Sequence, residues 1–307
     1  MTAKHSAKEQ TVALIGANGM LARMVRERAP QGYFLHLFDL PEFDLTDRDQ
    51  VLEVLTRLSP DVIINCAAFT NVDGAETERD LAMAVNGTAV STLAEAAIMI
   101  DATLVHVSTD YVFDGSKAGP YVESDQTNPQ SVYGETKSSG EQSITASDLT
   151  KFFIIRTSWL YGPGGNNFVE TILRLAGERD ELRIIADQVG SPTYTADLAD
   201  AIFRLHTIAT KPQSMIPSPY GIYHFANEGS CSWYEFACAI VEEGRKHGLP
   251  LKVREIYPIS TEEYPLPATR PTNSVFDKAK YRAISGAPIP DWRESLHTYF
   301  LQREIKE

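Results

Sequence analysis

The first half of the chain alternates short apolar runs with longer amphipathic stretches. The apolar runs are TVALIG at 11–16, FLHLFD at 34–39, DVIINCAA at 61–68, TLVHVST at 103–109 and KFFIIRTSW at 151–159. Amphipathic stretches such as 49–59 and 78–99 lie between them. This order favours a parallel sheet with helices on both faces and right-handed connections. The sequence therefore predicts an α/β fold, a doubly wound parallel-sheet Rossmann fold.

The second half gives a mixed signal and predicts a smaller, loop-rich C-terminal substrate lobe. Helical patterns separated by segments rich in Pro and Gly occur at 167–180, 195–208 and 232–247. We predict three parts, a flexible N-terminal extension at 1–10, a dinucleotide-binding Rossmann domain at 11–160 and the interleaved substrate lobe at 161–307. The chain is expected to return to the Rossmann domain near 183–208 and 221–226. Its strands near 183–186 and 221–226 are expected to rejoin the main sheet.

Composition and charge exclude several classes of protein. The 307 residues are 43% hydrophobic and 22% charged, which is ordinary for a soluble globular enzyme with a large core. With 28 basic and 41 acidic side chains the formal charge is -13, which opposes binding to nucleic acid. No window approaches the roughly 18 continuous apolar residues of a membrane span, and the polar first ten residues are not a secretion signal. We therefore expect a cytoplasmic protein that binds neither nucleic acid nor membrane.

The cysteines and histidines predict no metal site. Cys66, Cys231 and Cys238 are too few for a disulfide framework or a zinc site, and reduced thiols are expected. The seven histidines show no clustered spacing with acids or cysteines, which argues against a catalytic metal.

The segment GANGMLA, which follows the first strand, predicts a nucleotide site. Gly16 and Gly19 permit a tight turn and the close approach of a pyrophosphate at a helix N-terminus, although such glycines can also form a simple turn. Asp39 ends the second strand 20 residues after Gly19, where a carboxylate can accept hydrogen bonds from an adenosine ribose. A carboxylate there would also repel a 2′-phosphate, which mildly favours NADH over NADPH.

Two further segments predict proton transfer. YGETK places Tyr133 and Lys137 four residues apart, on one face of a helix, where an ammonium can stabilise a phenolate. Without other context, such a pair is more typical of an exposed helix face. HVSTDYVFDG places Thr109 at the end of a buried strand, where doubly wound sheets bind ligands. Thr109 can hydrogen-bond the oxygen that exchanges a proton with Tyr133, and the alternative is a capped turn at the strand end.

These segments together resemble the extended short-chain dehydrogenase/reductase superfamily, and within it the dTDP-4-dehydrorhamnose reductase family. The matching segments cover nearly all of residues 11 to 300 and are GANGMLA, DVIINCAAFTNVDGAE, VHVSTDYVFDG, PYVESDQTNPQSVYGETKSSGE, RTSWLYGPGGNNFVETILRLA, DQVGSPTYTADLA and RPTNS. The resemblance implies that NADH or NADPH reduces the C4 ketone of a dTDP-sugar, dTDP-4-dehydro-6-deoxy-L-mannose. It implies that Tyr133 donates the proton, that Lys137 lowers the tyrosine pKa and holds the nicotinamide ribose, and that Thr109 orients the ketone.

The resemblance also implies two sets of binding residues. Those for the cofactor are Gly16, Asn18, Gly19, Met20, Leu21, Asp39, Asp44, Leu45, Ala67, Ala68, Phe69, Thr70, Ser108, Tyr133 and Lys137. Those for the substrate are Thr109, Asp110, Tyr133, Trp159 and Arg270. Asp44 can instead cap the helix starting near Asp47. Trp159 can instead be a core aromatic, and Arg270, a candidate diphosphate clamp, can instead form a surface ion pair.

The chain departs from the family pattern at several positions. Phe69 stands where the family often has His or Tyr, and Gly74 replaces a residue that is often basic. Some relatives dimerise around a metal held by acidic side chains, and the corresponding positions here are Met24 and Ala196. We therefore do not predict that dimer, and expect a monomer or homodimer.

Two other functions remain open at this point. A nucleotide-sugar epimerase or dehydratase shares the fold, but would show no net consumption of NAD(P)H. A non-catalytic regulatory subunit like that of methionine adenosyltransferase shares the fold and has a similar segment, SDYVFDG, and would bind a partner enzyme without turnover.

Overall fold

The structure, a computed structural model, describes residues 9–210 and 218–304, so most of the predicted N-terminal extension lies outside the described residues. Gln10, which the sequence assigned to that extension, is buried and begins the first strand. The strands are β1 (Gln10–Ile15), β2 (Tyr33–Phe38), β3 (Val62–Asn65), β4 (Thr103–Thr109), β5 (Phe152–Thr157), β6 (Leu160–Tyr161), β7 (Glu181–Ile185), β8 (Val189–Gly190), β9 (Thr193–Tyr194), β10 (Gly221–His224), β11 (Cys231–Ser232) and β12 (Glu255–Ile259). The helices are α1 (Met20–Arg28), α2 (Arg48–Leu58), α3 (Val72–Ala75), α4 (Arg79–Met83), α5 (Ala89–Ile100), α6 (Val132–Thr145), α7 (Phe168–Glu178), α8 (Thr195–Ala209), α9 (Trp233–Lys246), α10 (Ala279–Ser285) and α11 (Trp292–Glu304). A π-helical turn, Ala84–Thr88, joins α4 to α5.

Within the described residues, six parallel strands form the central sheet, in the order β10-β5-β4-β3-β1-β2. Its inner strands are buried and rich in Val, Ile and Leu, as a parallel sheet with helices on both faces requires. The chain order reverses between β1 and β3, so the carboxyl ends of these strands form the switch point where such sheets bind ligands. The predicted doubly wound Rossmann fold is therefore confirmed.

Helices cover both faces of the sheet because the side chains of β1 alternate between two hydrophobic cores. Val12 and Leu14 enter a core shared with α1 and α8, whereas Ala13 and Ile15 enter one shared with α2 and α5. The first core continues into the C-terminal part of the chain, where α9 packs against both α7 and α11. The C-terminal part of the chain thus shares a core with the central sheet.

The chain rejoins the central sheet once after β5, and not twice as predicted. β10 pairs in parallel with β5 and forms the edge of the sheet. The strand expected to rejoin it near 183–186 is β7, which pairs instead with β12 in a separate two-stranded sheet. The physical reason is the alternating pattern of β7, in which Glu181 and Arg183 are exposed and Leu182 is buried. Such a strand suits a sheet with one solvent face.

One helical segment of the described chain, Arg79–Ile100, is long and apolar enough to cross a membrane by length and composition alone. Half of its most apolar window is buried inside the molecule, and its second half, α5, packs against α2 and α6. The core therefore accounts for the apolar composition of this segment.

Candidate active site

A cleft of about 930 Å³ opens at the carboxyl ends of the central strands. The predicted site residues that line it are Gly16, Asn18, Gly19, Met20, Leu21, Asp39, Asp44, Leu45, Ala67, Ala68, Phe69, Thr70, Ser108, Thr109, Asp110, Tyr133, Lys137 and Trp159. Arg270 is not among the lining residues. The structure thus brings the predicted catalytic and cofactor-binding side chains to one place, although 121 residues separate Gly16 from Lys137 along the chain (137 − 16).

The turn after β1 has the geometry of a pyrophosphate site. Gly16 has a φ of +75°, and a Cβ there would lie 2.6 Å from the backbone nitrogen of Ala67. Only glycine therefore lets the loops after β1 and β3 approach each other. Gly19 is the N-cap of α1, and no side chain among the described residues caps this helix start. The first amides of α1 can therefore bind an anion.

Acidic side chains fix the loops around this turn. Asp39 accepts hydrogen bonds from the amides of Asn18, at 2.7 Å, and Leu40, at 2.9 Å, which ties the end of β2 to the glycine turn. Asp44 accepts from the amide of Thr46 at 2.9 Å, within its own loop. The cap of α2 is Asp47 itself, so the alternative interpretation of Asp44 as the helix cap is wrong.

Two buried asparagines that the sequence analysis did not identify shape the loop after β3. Asn65 accepts a hydrogen bond from the Ala67 amide at 3.0 Å. Asn86, in the π-helical turn, accepts from the Phe69 amide at 2.9 Å and donates to the Phe69 carbonyl at 3.1 Å. It also donates to Thr136 Oγ1 on α6 at 3.1 Å. Their only sequence signal was an asparagine inside an apolar run, VIIN or AMAVNGT.

Helix α6 carries three ionisable side chains on one face. Tyr133, Lys137 and Glu141 follow each other at intervals of four residues. Gly134 permits the close packing of this helix, because a Cβ there would lie 2.2 Å from the carbonyl oxygen of Tyr111. The predicted helical placement of the Tyr-x-x-x-Lys pair is confirmed, and the alternative of an exposed face is wrong, since Lys137 is 2% exposed.

A buried ion pair holds α6 against the sheet. Glu141 contacts Arg156 of β5 at 2.6 Å, and the two side chains are 5% and 4% exposed. Ser108 donates its hydroxyl to the same carboxylate at 2.5 Å, so α6 is tied to both β4 and β5.

Burial dominates the electrostatics of the reactive groups. It raises the pKa of Tyr133 to about 12, although the hydrogen bond with Thr109 lowers it. We expected Lys137 to lower the pKa of Tyr133, but that pKa is raised. Burial also raises the pKa of Asp110 to about 6, against hydrogen bonds from Ser274 and Thr109. Tyr133 is a neutral phenol at neutral pH, which is the form that can donate a proton.

A chain of hydrogen bonds sets the environment of Lys137. The Ala67 amide occupies Asn65 Oδ1, so Asn65 Nδ2 faces His106 Nδ1, at 3.1 Å, and donates to it. Neutral His106 then carries its proton on Nε2, which lies 3.3 Å from Lys137 Nζ. The His106 Nε2–H and a Lys137 ammonium are both donors and cannot hydrogen-bond to each other. This contact therefore disfavours the ammonium form of Lys137. Burial lowers the pKa of Lys137 to about 8 in the same direction.

The two predicted substrate residues from the later part of the chain differ in placement. Trp159 lines the cleft and stacks on Trp233, with ring centroids 3.5 Å apart, while also packing on the core. Arg270 binds the Asp73 carboxylate through both terminal nitrogens, at 2.9 and 2.8 Å. An ion pair, the alternative interpretation of Arg270, is thus present, and it is largely buried, with the side chains 18% and 33% exposed.

One buried polar atom in this region lacks a partner. Thr157 lies opposite Thr109 in the pairing of β4 and β5 and lines the cleft. Its hydroxyl has no hydrogen-bond partner among the described residues. Three features of the cleft suit polar ligands such as a dinucleotide and a polar substrate. They are this unpartnered hydroxyl, the glycine turn and the uncapped start of α1.

Known proteins resemble this chain over nearly its whole length. Residues 10–304 match the family described as RmlD substrate binding domain. The dTDP-4-dehydrorhamnose reductase of Aggregatibacter actinomycetemcomitans is 42% identical over 285 residues, which are 92% of this chain and 96% of that protein. The chain belongs to the dTDP-4-dehydrorhamnose reductase family.

A solved structure of a dTDP-4-dehydrorhamnose reductase extends the comparison. The Bacillus anthracis protein, crystallised in complex with NADP, is 41% identical, with a TM-score of 0.87 and coverage of 96% of this chain and 99% of that one. These relatives confirm the predicted family, an NAD(P)H-dependent oxidoreductase, and the predicted cofactor, NADH or NADPH. A UDP-glucose 4-epimerase from Thermus thermophilus, in complex with NAD, has a TM-score of 0.78 but 19% identity over 96% of this chain and 99% of that one, and shows the fold alone.

Three of the residues that depart from the dTDP-4-dehydrorhamnose reductase pattern pack against apolar neighbours. Phe69, like Tyr133, packs against a small cluster of Ala75, Ala82 and Val132, so an apolar contact stands where the family pattern often has a polar side chain. Met24 of α1 and Ala196 of α8 are 1% and 3% exposed and belong to the core.

Proposed function

We propose that this protein reduces the C4 ketone of dTDP-4-dehydro-6-deoxy-L-mannose to dTDP-L-rhamnose, with NADH or NADPH as the reductant and Tyr133 as proton donor. The observation that carries the proposal is that Thr109, Tyr133 and Lys137 line the same cleft as the glycine turn after β1. Family membership supports the substrate class.

The first part of the cleft would hold the cofactor. The amides at the start of α1 would bind its pyrophosphate, and Asp39 would accept hydrogen bonds from the adenosine ribose. Asp44 and Leu45 would lie at the adenosine end, and the segment from Ala67 to Thr70 would follow the dinucleotide. The bound cofactor supplies a hydride to C4 of the sugar.

Tyr133 and its neighbours would complete the reaction. As C4 gains a hydride, the electron pair of the C=O bond moves onto oxygen, and the Tyr133 phenol transfers its proton to that oxygen. Thr109 would orient the ketone by a hydrogen bond. Lys137 would hold the nicotinamide ribose and stabilise the tyrosinate that remains until a proton returns from solvent. Asp110 and Trp159 would lie beside the sugar.

Arg270 would contribute to binding of the diphosphate. Its pairing with Asp73 and a hydrogen bond to the Ala268 carbonyl, at 2.7 Å, fix the plane of the guanidinium, and its remaining N–H groups can bind phosphate oxygens. We further propose that the sugar carries a dTDP group, that the protein acts as a monomer or homodimer, and that it lies in the cytoplasm.

The test is absorbance at 340 nm with purified protein, NADH or NADPH, and the ketosugar generated by an upstream dehydratase and epimerase. Loss of NAD(P)H, with dTDP-L-rhamnose formed in equal amount, is the expected result. Because Asp39 favours NADH while a relative binds NADP, both cofactors are compared. An active substrate-generating system with no NAD(P)H loss would overturn the proposal, and sugar interconversion without net NAD(P)H loss would indicate an epimerase.

A further inference from the structure

Two histidines and a glutamate meet where α9 and α11 pack together, away from the cleft. Glu243 and His247 lie four residues apart on α9, and His297 reaches them from α11. The three potential ligand atoms lie within 4.8 Å of one another. None of the three residues lines the cleft, so this cluster is separate from the proposed catalytic site.

Both imidazoles direct a nitrogen at the same carboxylate oxygen. His297 Nδ1 lies 2.9 Å from Glu243 Oε2, and His247 Nε2 lies 3.7 Å from it. In a tetrahedral zinc site with bonds of about 2.0–2.1 Å, neighbouring ligand atoms are about 3.3 Å apart. The observed separations bracket that distance, so small side-chain rotations would bring all three atoms onto one ion.

The other contacts of the Glu243 carboxylate favour its use as a metal ligand. Lys246 binds the opposite oxygen, Glu243 Oε1, at 2.9 Å, which leaves Oε2 directed at the histidines. Burial opposes ionisation, but hydrogen bonds with His297 and Lys246 outweigh it, so the pKa of Glu243 lies below its ordinary value. The side chains of Glu243 and His247 are 13% and 10% exposed, and that of His297 is 53% exposed. An ion could therefore enter from solvent on the His297 side and bind ligands that are largely shielded from water.

We propose that Glu243, His247 and His297 bind a divalent transition-metal ion that fastens α11 to α9. Two imidazoles and a carboxylate are ligands suited to Zn²⁺, Co²⁺, Ni²⁺ or Cu²⁺, whereas Mg²⁺ and Ca²⁺ require oxygen ligands. Water would complete the tetrahedron, because the protein provides three ligands. The pair of Glu243 and His247, four residues apart, was overlooked in the sequence analysis, and the third ligand, His297, lies 50 residues further along the chain (297 − 247) and meets them only in the fold.

The first experiment titrates metal into the intact protein, after removal of any purification tag and treatment with a chelator. Co²⁺ is expected to bind in one equivalent, to give the intense visible absorption of a tetrahedral ion, and to be displaced by Zn²⁺. Zn²⁺ at about a hundredfold excess over its Kd should raise Tm by about 5 °C, because the ion binds only the folded protein. Mg²⁺ and Ca²⁺ should leave Tm unchanged.

Matched histidine variants test which residues hold the ion. His297→Ala, at a half-exposed side chain, should weaken Co²⁺ binding by about 100-fold or more, beyond the 10- to 100-fold typical of an outer-shell partner. Glu243→Gln should also lose the visible absorption. His36→Ala, at an exposed position on β2, should bind like the wild type. Absence of the tetrahedral spectrum in the wild type, or its persistence in His297→Ala, would overturn the proposal. The outcome is independent of reductase activity.

Discussion

Single side chains at the carboxyl edge of the sheet set the protonation states on which the proposed reaction depends. Burial keeps Tyr133 protonated, whereas the donor on His106 and burial together disfavour the Lys137 ammonium. A neutral phenol and an amine with a pKa of about 8 therefore lie in the same cleft.

Removing the phenol tests the proposed proton donor directly. Tyr133→Phe should retain cofactor binding and lose most turnover, with kcat reduced by roughly 10²- to 10⁴-fold, because only the hydroxyl disappears. The comparison requires steady-state kinetics and cofactor fluorescence on the same preparation. Turnover close to that of the wild type would remove Tyr133 from the role assigned to it.

The contact between His106 and Lys137 predicts a change in the pH profile. Turnover that needs the ammonium should fall as pH rises through the Lys137 pKa of about 8. His106→Gln can present a carbonyl oxygen to Lys137, which favours the ammonium and should move this fall to higher pH. Glu141 and Cys66, which also act on Lys137, are unchanged in the variant.

The measurement for this prediction is kcat against pH for the wild type, His106→Gln and the exposed control His36→Gln. The control should follow the wild type. An unmoved basic limb in His106→Gln, with turnover retained, would show that His106 does not influence Lys137.

At the scale of elements, α6 is positioned by the buried pair between Glu141 and Arg156. Glu141→Gln leaves a buried guanidinium without its counter-charge and should lower the free energy of unfolding by about 3–5 kcal/mol. The control is Glu53→Gln in α2, whose exposed pair with Arg57 has side chains 74% and 71% exposed. That change should alter stability by less than about 0.5 kcal/mol. Chemical denaturation of both variants measures the difference, and equal effects would contradict this account of α6.

The elements that the sequence predicted best are those with a regular spacing of apolar or functional residues, or with a glycine at a turn. The inner strands and the Tyr-x-x-x-Lys face of α6 were predictable because burial and helical spacing leave a clear pattern. The partner of β7 was not, since an alternating strand does not show which strand it will pair with. The role of Asn86 and the partner of Arg270 were also beyond sequence reasoning, because the contacts with Phe69 and Asp73 are fixed by tertiary packing.

At the scale of the whole molecule, cofactor binding and folding should be coupled. A ligand that binds only the folded chain stabilises it by about 2.7 kcal/mol at a hundredfold excess over its Kd. Gly16→Ala should abolish the rise in Tm caused by NAD(P)H, because its Cβ would meet the Ala67 backbone. Gly119→Ala, where a Cβ meets nothing within 4 Å, is the matched control. A cofactor-induced rise in Tm that survives in Gly16→Ala would place the pyrophosphate elsewhere.

The segment from Arg270 to Ser274 joins the last part of the chain to α3 and to the turn after β4. Arg270 pairs with Asp73, 197 residues earlier, and Ser274 donates to Asp110, 164 residues earlier. During synthesis at about 5–20 residues per second, roughly 10–40 s pass between the emergence of Asp73 and that of its partner. Until then, the carboxylates of Asp73 and Asp110 lack these partners on the nascent chain. The ribosome therefore completes β1 to β5 well before Arg270 and Ser274, the partners of Asp73 and Asp110, emerge.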